Sequence, residues 1–344
     1  MKIVAPISRP SEVAPVARAG ADELYCGIVP PDWTERFHNA GVNRRAFGNL
    51  AAYEDLREVV GRAADLGCTV SLVMNAQHYG EGQIDALVDL AFRFADMGGQ
   101  ALIVGDLGLL CTLAERGPAL RLNGSSLLGC RNTAHALLHE EIGTRRIVFP
   151  RDMTIAEMAE ITAACSHLEF EAFILNDGCV FEEGSCHTIH LPARMGGPIC
   201  LDRYQSKYTR CDGRPLSSAE ADSLAANDKS YDSWLWYRFS CGFAVTQEGL
   251  PFGPCGLCSI PQLAAAGITA VKIAGREGAV ERKVTSGERV RAALTQYRAT
   301  GSAASLGRFA RNLRGQPALC DSAYMCYYRP TGAYQELVEP PRSA

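Results

Sequence analysis

Three cysteines follow one predicted strand at spacings that suit the binding of a soft metal. Cys179 comes directly after an Asn-Asp-Gly turn sequence that ends the strand, six residues separate it from Cys186, and thirteen separate Cys186 from Cys200. Loop backbone interrupted by Gly and Pro can bend several thiolates toward one point, which a regular strand or helix rarely allows. Together with a later Cys-x-x-Cys pair, Cys255 and Cys258, this pattern predicts a metal or cluster site built on loops.

The spacing favours an iron–sulfur cluster over a structural zinc site. Such a cluster takes four thiolates, whereas structural zinc sites usually present two Cys-x-x-Cys pairs, of which this sequence has one. Wide and uneven spacing suits a cluster held by several loops, although zinc and the absence of metal both remain open. Cys211 and Cys241 lie in the same part of the chain and are further candidates.

Composition bounds the class of protein. The chain has 344 residues, 47% of them hydrophobic, which allows a large core, and the opening MKIVAPISRP is too short an apolar run for a signal sequence. No stretch reaches the ~18 apolar residues of a membrane span, so we expect a cytoplasmic protein without a membrane partner. Disulfides are rare in that compartment, so 14 cysteines indicate metal or redox chemistry. The net charge of −4 gives no general attraction to nucleic acid, which we do not expect as a partner.

The elements that must position these residues alternate regularly between strand and helix. Short apolar runs predict eight strands, at 2–7, 23–28, 68–75, 101–106, 120–125, 146–149, 169–175 and 270–274. Helical patterns separate most of them, which predicts an α/β fold with a closed, eight-stranded parallel barrel, similar to a TIM barrel. An open, doubly wound sheet is the alternative, although no Gly-x-Gly-x-x-Gly or phosphate-binding loop is present.

The barrel pattern also predicts the division of the chain. The barrel domain covers residues 1–300 and is interrupted after the seventh strand by a polar and aromatic insertion, 202–254. Residues 301–344 form a C-terminal extension, which contains Cys320, Cys326 and several tyrosines. We expect this extension to pack on the barrel or on a partner, and nothing in its sequence requires a catalytic role.

Polar residues at the predicted strand ends are candidates for catalysis, because parallel barrels place their active groups at the carboxyl ends of the strands. Asn75 and Asp106 end two strands, and Arg151 and Arg276 follow two others. A guanidinium group can bind a carboxylate through two parallel hydrogen bonds. The alternative for the arginines is a salt bridge between loops, and the alternative for Asn75 and Asp106 is a turn or a helix cap.

The other cysteines of the barrel pattern have a simpler interpretation. A cysteine within a regular element is by default a small buried hydrophobic residue, and five belong to this group: Cys26, Cys68, Cys111, Cys130 and Cys165. Replacing Cys68 or Cys111 by Ala should therefore cost on the order of 1 kcal/mol and leave any metal bound.

Six short sequences, in order along residues 1–300, resemble conserved pieces of the collagenase-like peptidase family catalogued as U-thirty-two. The pieces are Ala5-Pro6 with AGADELY at 19–25, Asn75 at a strand end, ALIVGDLG at 101–108, RIVFPR at 146–151, EAF and GSC at 171–173 and 184–186 around Cys179, and KIAGR at 272–276. The resemblance implies a barrel similar to that of family members that hydroxylate the ubiquinone ring, or bases of tRNA and ribosomal RNA, without oxygen.

The same resemblance implies a cofactor. Members of the ubiquinone pair bind a [4Fe-4S] cluster through four cysteines, and Cys179, Cys186 and Cys200 match the first three by position. The fourth falls on Cys255 in ungapped alignment, with Cys258 and then Cys241 as alternatives. Some members are linked to prephenate as oxygen donor, so prephenate or a similar compound is an expected second ligand.

Two departures from the family pattern indicate a divergent subfamily. Leu175-Asn176 stands in place of the family's His-Gly, and Ala274 replaces the Glu of its Lys-Ile-Glu-Gly-Arg. We therefore predict an iron–sulfur enzyme for oxygen-independent hydroxylation, or a related redox change, of a small molecule or biosynthetic intermediate, as a homo-oligomer or with a related subunit. A metal-stabilised peptidase and a non-catalytic, cluster-bearing subunit are the alternatives. The peptidase alternative lacks a His-Glu-x-x-His or Gly-x-Ser-x-Gly motif.

Overall fold

Eight parallel strands pair in chain order and close into a barrel, because the first strand also pairs with the eighth. The computed structural model describes residues 1–37, 41–45, 47–179, 182–186, 206–239, 254–315, 320–321 and 326–328, with the backbone alone for 231–239. The barrel prediction is confirmed, and the open-sheet alternative is wrong. The strands are β1 (Lys2–Pro6), β2 (Glu23–Cys26), β3 (Thr69–Met74), β4 (Ala101–Val104), β5 (Arg121–Gly124), β6 (Arg146–Val148), β7 (Glu169–Leu175) and β8 (Ala270–Ile273).

Helices follow the strands and cover the outside of the barrel. Within the described ranges they are α1 (Val13–Arg18), α2 (Trp33–Phe37), α3 (Tyr53–Asp65), α4 (Glu81–Asp96), α5 (Leu107–Arg116), α6 (Thr133–Ile142), α7 (Ile155–Ala164), α8 (Ser218–Phe239), α9 (Ile260–Ala265), α10 (Val280–Thr300) and α11 (Ala303–Arg314). None of these helices has the length and apolar character needed to cross a membrane.

Three of the helices lie outside a simple strand–helix alternation. α2 lies between β2 and α3, α8 lies in the predicted insertion, and α11 lies in the predicted extension, where it packs against α10. The missing side chain of Gly287 lets α10 approach Ala19 closely, since an added Cβ would come within 3.1 Å of it. The division into barrel, insertion and extension stays a prediction.

A buried ion network fills the amino-terminal half of the barrel. The Arg146 guanidinium is fully buried and binds both carboxylate oxygens of Glu23, at 2.7 and 3.0 Å. It also contacts Glu171 at 3.1 Å, and Lys272 binds the other oxygen of Glu171 at 2.6 Å. Four strands, β2, β6, β7 and β8, therefore share one set of paired charges, which offsets the large cost of removing each charge from water.

Apolar layers close the rest of the barrel interior. The middle layer consists of Val4, Tyr25, Val73, Ile103 and Ala270. Nearer the carboxyl ends of the strands, Val148, Phe173 and Ala274 pack together, and Tyr327 from the C-terminal extension packs against them. Because side chains fill the interior in the part of the barrel that the structure describes, functional groups are expected at the carboxyl-end rim.

The cysteines of the barrel pattern are buried with one exception. Cys26, Cys68, Cys130 and Cys165 are buried as predicted, and the Cys68 thiol contacts the Ala21 carbonyl oxygen at 3.3 Å. Cys111 is exposed on α5, so the prediction of a buried Cys111 is wrong. Its replacement by Ala leaves no cavity and should cost less than the replacement of Cys68.

The ion network predicts a specific acid dependence of stability. Burial by itself raises the pKa of Glu23, but hydrogen bonding and the charge of Arg146 outweigh it and lower the pKa from 4.5 to about 2. This carboxylate therefore contributes stability above pH ~4.5 that is lost as the pH falls toward 2. We expect Glu23→Gln to lower the free energy of unfolding at pH 7 by about 3 kcal/mol, because it breaks a buried pair.

Urea denaturation at pH 7, 5 and 3 measures this effect, with Glu58→Gln as the control. Glu58 pairs with Arg62 on the surface, both side chains being more than two-fifths exposed, so its loss should change stability by less than ~0.5 kcal/mol. The wild type should lose stability between pH 5 and 3 more steeply than Glu23→Gln does. Equal stabilities of the Glu23 and Glu58 variants would contradict the role given to the network.

Candidate functional site

Strand β7 leaves the barrel through two residues with left-handed backbone. Asn176 has φ +69° and Asp177 has φ +41°, a region that Asn and Asp tolerate better than other residues with side chains. The next residue, Gly178, is packed so closely that an added Cβ would meet Pro254 at 2.7 Å. Unusual backbone of this kind is frequent at functional sites, so the residues around the end of β7 form the candidate site.

Asp177 is a buried carboxylate between two arginines. Its side chain is 2% exposed, and its oxygens lie 3.6 Å from Arg45 and 3.5 Å from Arg282. Within the described part of the chain, neither carboxylate oxygen accepts a hydrogen bond. A buried acceptor without a donor is costly, so this carboxylate is suited to accept a hydrogen bond from a ligand.

Arg276 lies beside this pair, after β8. It is buried, and it donates hydrogen bonds to Asn43 at 2.7 Å and to Asn49 at 3.4 Å. Burial lowers the pKa of Arg276. Gly27 makes room for the guanidinium, because an added Cβ there would come within 2.1 Å of its nitrogen. The predicted residue therefore stands at the rim, held by two amides from the loop that also carries Arg45.

Arg151 and Tyr327 enclose Phe173 at the same rim. The Arg151 guanidinium lies 3.8 Å from the centre of the Phe173 ring and forms an ion pair with Glu183. The Tyr327 ring stacks on Phe173, and its hydroxyl donates hydrogen bonds to the carbonyl oxygens of Asn176 and, at 3.1 Å, Asp177. Burial raises the pKa of Tyr327. The C-terminal extension thus contacts the turn that carries the buried carboxylate.

Asn75 and Asp106 hold loops in place. Asn75 accepts a hydrogen bond from the backbone of Arg44 at 3.2 Å, and its amide donates to Ser125 at 3.4 Å. Asp106 caps α5 by accepting from the Leu109 N–H at 2.7 Å. These contacts match the cap and turn alternative, and a direct role of either residue in catalysis stays a prediction.

Two of the three predicted cluster cysteines lie in the described ranges. Cys179 is half-buried and lies two residues after Asp177. Cys186 is also half-buried, and its own carbonyl oxygen accepts a hydrogen bond from the Arg44 guanidinium at 3.0 Å. Cys200 lies outside the described residues, as does the alternative ligand Cys241. Among the described side chains, no three from His, Cys, Asp and Glu are already arranged to hold a metal ion.

The segment with the last two predicted ligands runs along the end of β7. The Asn176 N–H donates a hydrogen bond to the Pro254 carbonyl oxygen at 3.0 Å, and the Gly256 N–H donates one to the Ile174 carbonyl oxygen at 2.8 Å. Cys255 therefore lies beside the strand that leads to Cys179, and Cys258 follows one turn later and is exposed. The loops after the seventh strand and before the eighth meet at one rim, as expected for neighbouring strands of a closed barrel.

Sequence reasoning missed several residues of this site: Arg45, Asp177, Arg282 and Tyr327. Asp177 was read only as part of a strand-breaking turn, although an acidic residue directly after a strand is a signal for a rim position. Arg45, Arg282 and Tyr327 come from a loop, a helix and the extension. No periodicity or motif marks them in the sequence, because only the closure of the barrel brings them together.

The chain is a TIM-like barrel with charged residues at its carboxyl-end rim, and comparison with known proteins gives its family. The model of Peptidase family U32 matches residues 8–332, so the chain belongs to that family. It is 26% identical over 167 residues to the tRNA hydroxylation protein P of Escherichia coli. The aligned segment covers 48% of this chain and 34% of that protein. The protein of the same name from Helicobacter pylori strain J99 is 24% identical, with 48% and 37% covered.

The chain spans about a third of the length of these curated relatives. Among solved structures, the U32 peptidase Mk0906 matches with TM-score 0.43 and 16% identity, over 54% of this chain and 74% of that one. A 2,3-dimethylmalate lyase of the PEP mutase/isocitrate lyase superfamily matches with TM-score 0.38 and 10% identity, over 93% and 92%. Neither likeness adds to the fold described above.

The left-handed backbone of Asn176 predicts the effect of substitution there. Asn176→Ala and Asn176→Gly both remove the side-chain hydrogen bond to Ser286, of 2.9 Å. Ala keeps a Cβ, which disfavours positive φ by about 1–2 kcal/mol relative to Gly. We therefore expect Asn176→Ala to be less stable than Asn176→Gly by about that amount in urea denaturation. Equal stability of the two variants would show that residue 176 does not adopt this conformation.

Proposed function

We propose that this chain acts in oxygen-independent hydroxylation of a base in RNA, with an iron–sulfur cluster beside the carboxyl end of β7. The observation that carries the proposal is the buried Asp177 carboxylate, without a hydrogen-bond donor among the described residues and only two residues from Cys179. The curated relatives, whose names state tRNA hydroxylation, support the choice of reaction.

The residues at the rim fit such a cluster by their chemistry. Cys179, Cys186 and Cys200 would hold it, with a fourth thiolate from Cys255, Cys258 or Cys241. The first two are half-buried, which suits thiolates that must exclude water without being cut off from a substrate. When bound, a cluster of this kind supplies one-electron transfer. Contacts from Arg44 and Gln77 to the backbone of residues 184 and 186 would hold the loop in place.

The charged residues would orient the ligand. The Asp177 carboxylate would accept a hydrogen bond from a ring N–H or exocyclic amino group of a base. That group would supply the donor that the carboxylate lacks among the described residues. Arg45, Arg276 and Arg282 outnumber Asp177 and Glu277, the two carboxylates that Arg45 and Arg282 contact. The surplus positive charge favours an anionic group, either a phosphate of the RNA or a carboxylate of an oxygen donor. Prephenate, a dicarboxylate, fits that requirement and is part of the proposal.

The proposed RNA substrate departs from the expectation that nucleic acid is not a partner. That expectation was based on the net charge of −4, which is a sum over the whole chain. Local fields determine the binding of nucleic acid, and at this rim several arginines lie together. A small-molecule substrate remains the alternative within the same chemistry, while the peptidase and non-catalytic alternatives stay predictions.

Mass spectrometry of nucleosides tests the substrate and the role of Asp177 together. In digests of total RNA from a strain without this gene, we expect the loss of one nucleoside that is heavier than its parent by one oxygen atom. The wild-type chain should restore it, and Asp177→Asn should restore little, because the amide replaces one acceptor oxygen by a donor and removes the charge. Asp85→Asn, which changes an exposed ion pair with Arg116, is the matched control and should restore it fully.

Two results would contradict the proposal. Identical nucleosides with and without the gene would exclude RNA as the substrate. Full restoration by Asp177→Asn would show that the buried carboxylate does not take part. Soluble amounts of each variant are compared by immunoblot, so that loss of the protein is not read as loss of activity.

A further inference from the structure

Arginines are concentrated in the two helices that follow β8. Residues 289–315 contain six arginines and no lysine, aspartate or glutamate. The six are Arg289, Arg291, Arg298, Arg308, Arg311 and Arg314. Because the whole chain carries a net charge of −4, this basic stretch belongs to a chain that is otherwise acidic. A local excess of positive charge indicates an anionic partner, which the net charge conceals.

The packing of α10 and α11 brings part of this charge back to the barrel rim. α10 starts at the rim, where Arg282 lies beside the candidate site, and ends at Gly301, which has left-handed backbone. The chain then reverses, and the Gln296 amide donates a hydrogen bond to the Ser305 hydroxyl at 3.2 Å, from one helix to the other. α11 therefore runs back toward the rim and packs against residues 257–259, next to the end of β7.

Three arginines lie on one side of α11. Arg308, Arg311 and Arg314 are three residues apart, which places them on one face of the helix. Arg308 and Arg311 are exposed. Arg311 pairs with Asp321, whereas Arg308 forms no ion pair within the described ranges. The positive charges on this side of α11 therefore exceed the negative charge that faces them.

Arg289 of α10 adds a fourth charge to the same surface. It follows Arg282 by seven residues, which is ~10 Å along the same side of the helix. Burial lowers the pKa of Arg289, and the nearby charge of Arg314 lowers it further. In the part of the chain that the structure describes, Arg289 has no ion-pair partner. Two neighbouring cations repel each other, so an anion bound beside them would relieve an unfavourable interaction.

These four residues, Arg289, Arg308, Arg311 and Arg314, form a basic face whose chemistry suits the phosphates of RNA. A guanidinium group binds a phosphate through two parallel hydrogen bonds. An anionic membrane fits less well, because a helix that binds a membrane must insert its apolar side. The apolar residues Leu306 and Ala310 of α11 are already buried in the protein.

We propose that the basic face binds the phosphate backbone of the RNA whose base enters the rim. The ~10 Å between Arg282 and Arg289 along α10 corresponds to about three nucleotides of one strand. Phosphate contacts at that distance would hold the RNA while one base leaves its stack and reaches Asp177. The inference rests on the proposed RNA substrate, but it does not depend on the cluster or on the hydroxylation step.

Titration of labelled RNA tests the basic face. With the full chain and fluorescein-labelled bulk tRNA at ~0.1 M salt, Arg289→Gln and Arg308→Gln should each raise the Kd about fivefold. The slope of log affinity against log salt concentration should become shallower by about 0.7–0.9 for each lost phosphate contact. Arg145→Gln is the matched control and should change neither quantity. Arg145 is exposed and directly precedes β6, at the opposite end of the barrel.

Two further measurements separate the loss of charge from the loss of fold. Arg308→Lys keeps the positive charge and should bind tRNA within about twofold of the wild type. Arg289→Gln should unfold at the same temperature as the wild type or at a higher one, because it removes the repulsion between this residue and Arg314. Weak binding by a protein with an unchanged Tm then measures the contact itself.

Three results would each overturn the basic face as an RNA-binding surface. They are the absence of tRNA binding by the wild type, an unchanged Kd and salt slope in the combined Arg289→Gln/Arg308→Gln variant, and an equal loss of binding in Arg145→Gln. Variants that lose binding to vesicles of anionic lipid but retain tRNA binding would also overturn it.

The nucleoside measurement separates this inference from the proposed function. If the combined variant binds tRNA like the wild type while the strain without the gene lacks the oxidised nucleoside, the basic face is wrong and the proposed function stands. If the variant binds weakly but the nucleosides are identical with and without the gene, the basic face stands and the proposed hydroxylation of RNA is wrong.

Discussion

The candidate site depends on the way that strand β7 ends. Asn176 and Asp177 turn the chain with left-handed backbone, and three parts of the protein hold that turn. Pro254 accepts from the Asn176 N–H at 3.0 Å, Ser286 of α10 accepts from its amide at 2.9 Å, and Tyr327 donates to its carbonyl oxygen. Backbone in this region is unfavourable by itself, so it persists because its surroundings determine it from several sides.

The turn fixes the chemistry at the rim. It buries the Asp177 carboxylate between Arg45 and Arg282 and starts the loop that contains Cys179 two residues later. Below it, the ion network around Arg146 and the apolar layers make the barrel a rigid base. Buried charges in the base are fully paired, whereas Asp177 has ion contacts without hydrogen bonds among the described residues. This contrast favours a structural role for the paired charges and a binding role for Asp177.

Sequence patterns predicted the barrel because its strands are short, apolar and regularly spaced. They predicted that polar residues such as Arg276 would follow strands, since that depends on local order. They did not predict Asp177 as a site residue, because an Asn-Asp-Gly sequence has the same composition in any turn. Cys111 was wrongly predicted to be buried, because α5 carries it on the outer face and a single cysteine does not reveal which face it occupies.

Contacts between distant segments could not be predicted from the sequence for a different reason. Arg45, Cys326 and Tyr327 reach the end of β7 only after the barrel has closed and α11 has packed on α10. The spacing of residues along the chain does not indicate such long-range contacts unless a known motif links the residues. The resemblance to the peptidase family favoured an iron–sulfur cluster at these cysteines, whereas their spacing alone left iron–sulfur, zinc and no metal open.

Counting iron and acid-labile sulfide in protein purified without oxygen tests the central claim, that the loop after β7 carries a redox cluster. The account predicts about four of each per chain in the wild type and in Cys68→Ala, whose thiol is buried in the barrel wall. It predicts a large loss of both in Cys179→Ala and in Cys186→Ala. Full iron and sulfide in either of those two variants, or none in the wild type, would contradict it.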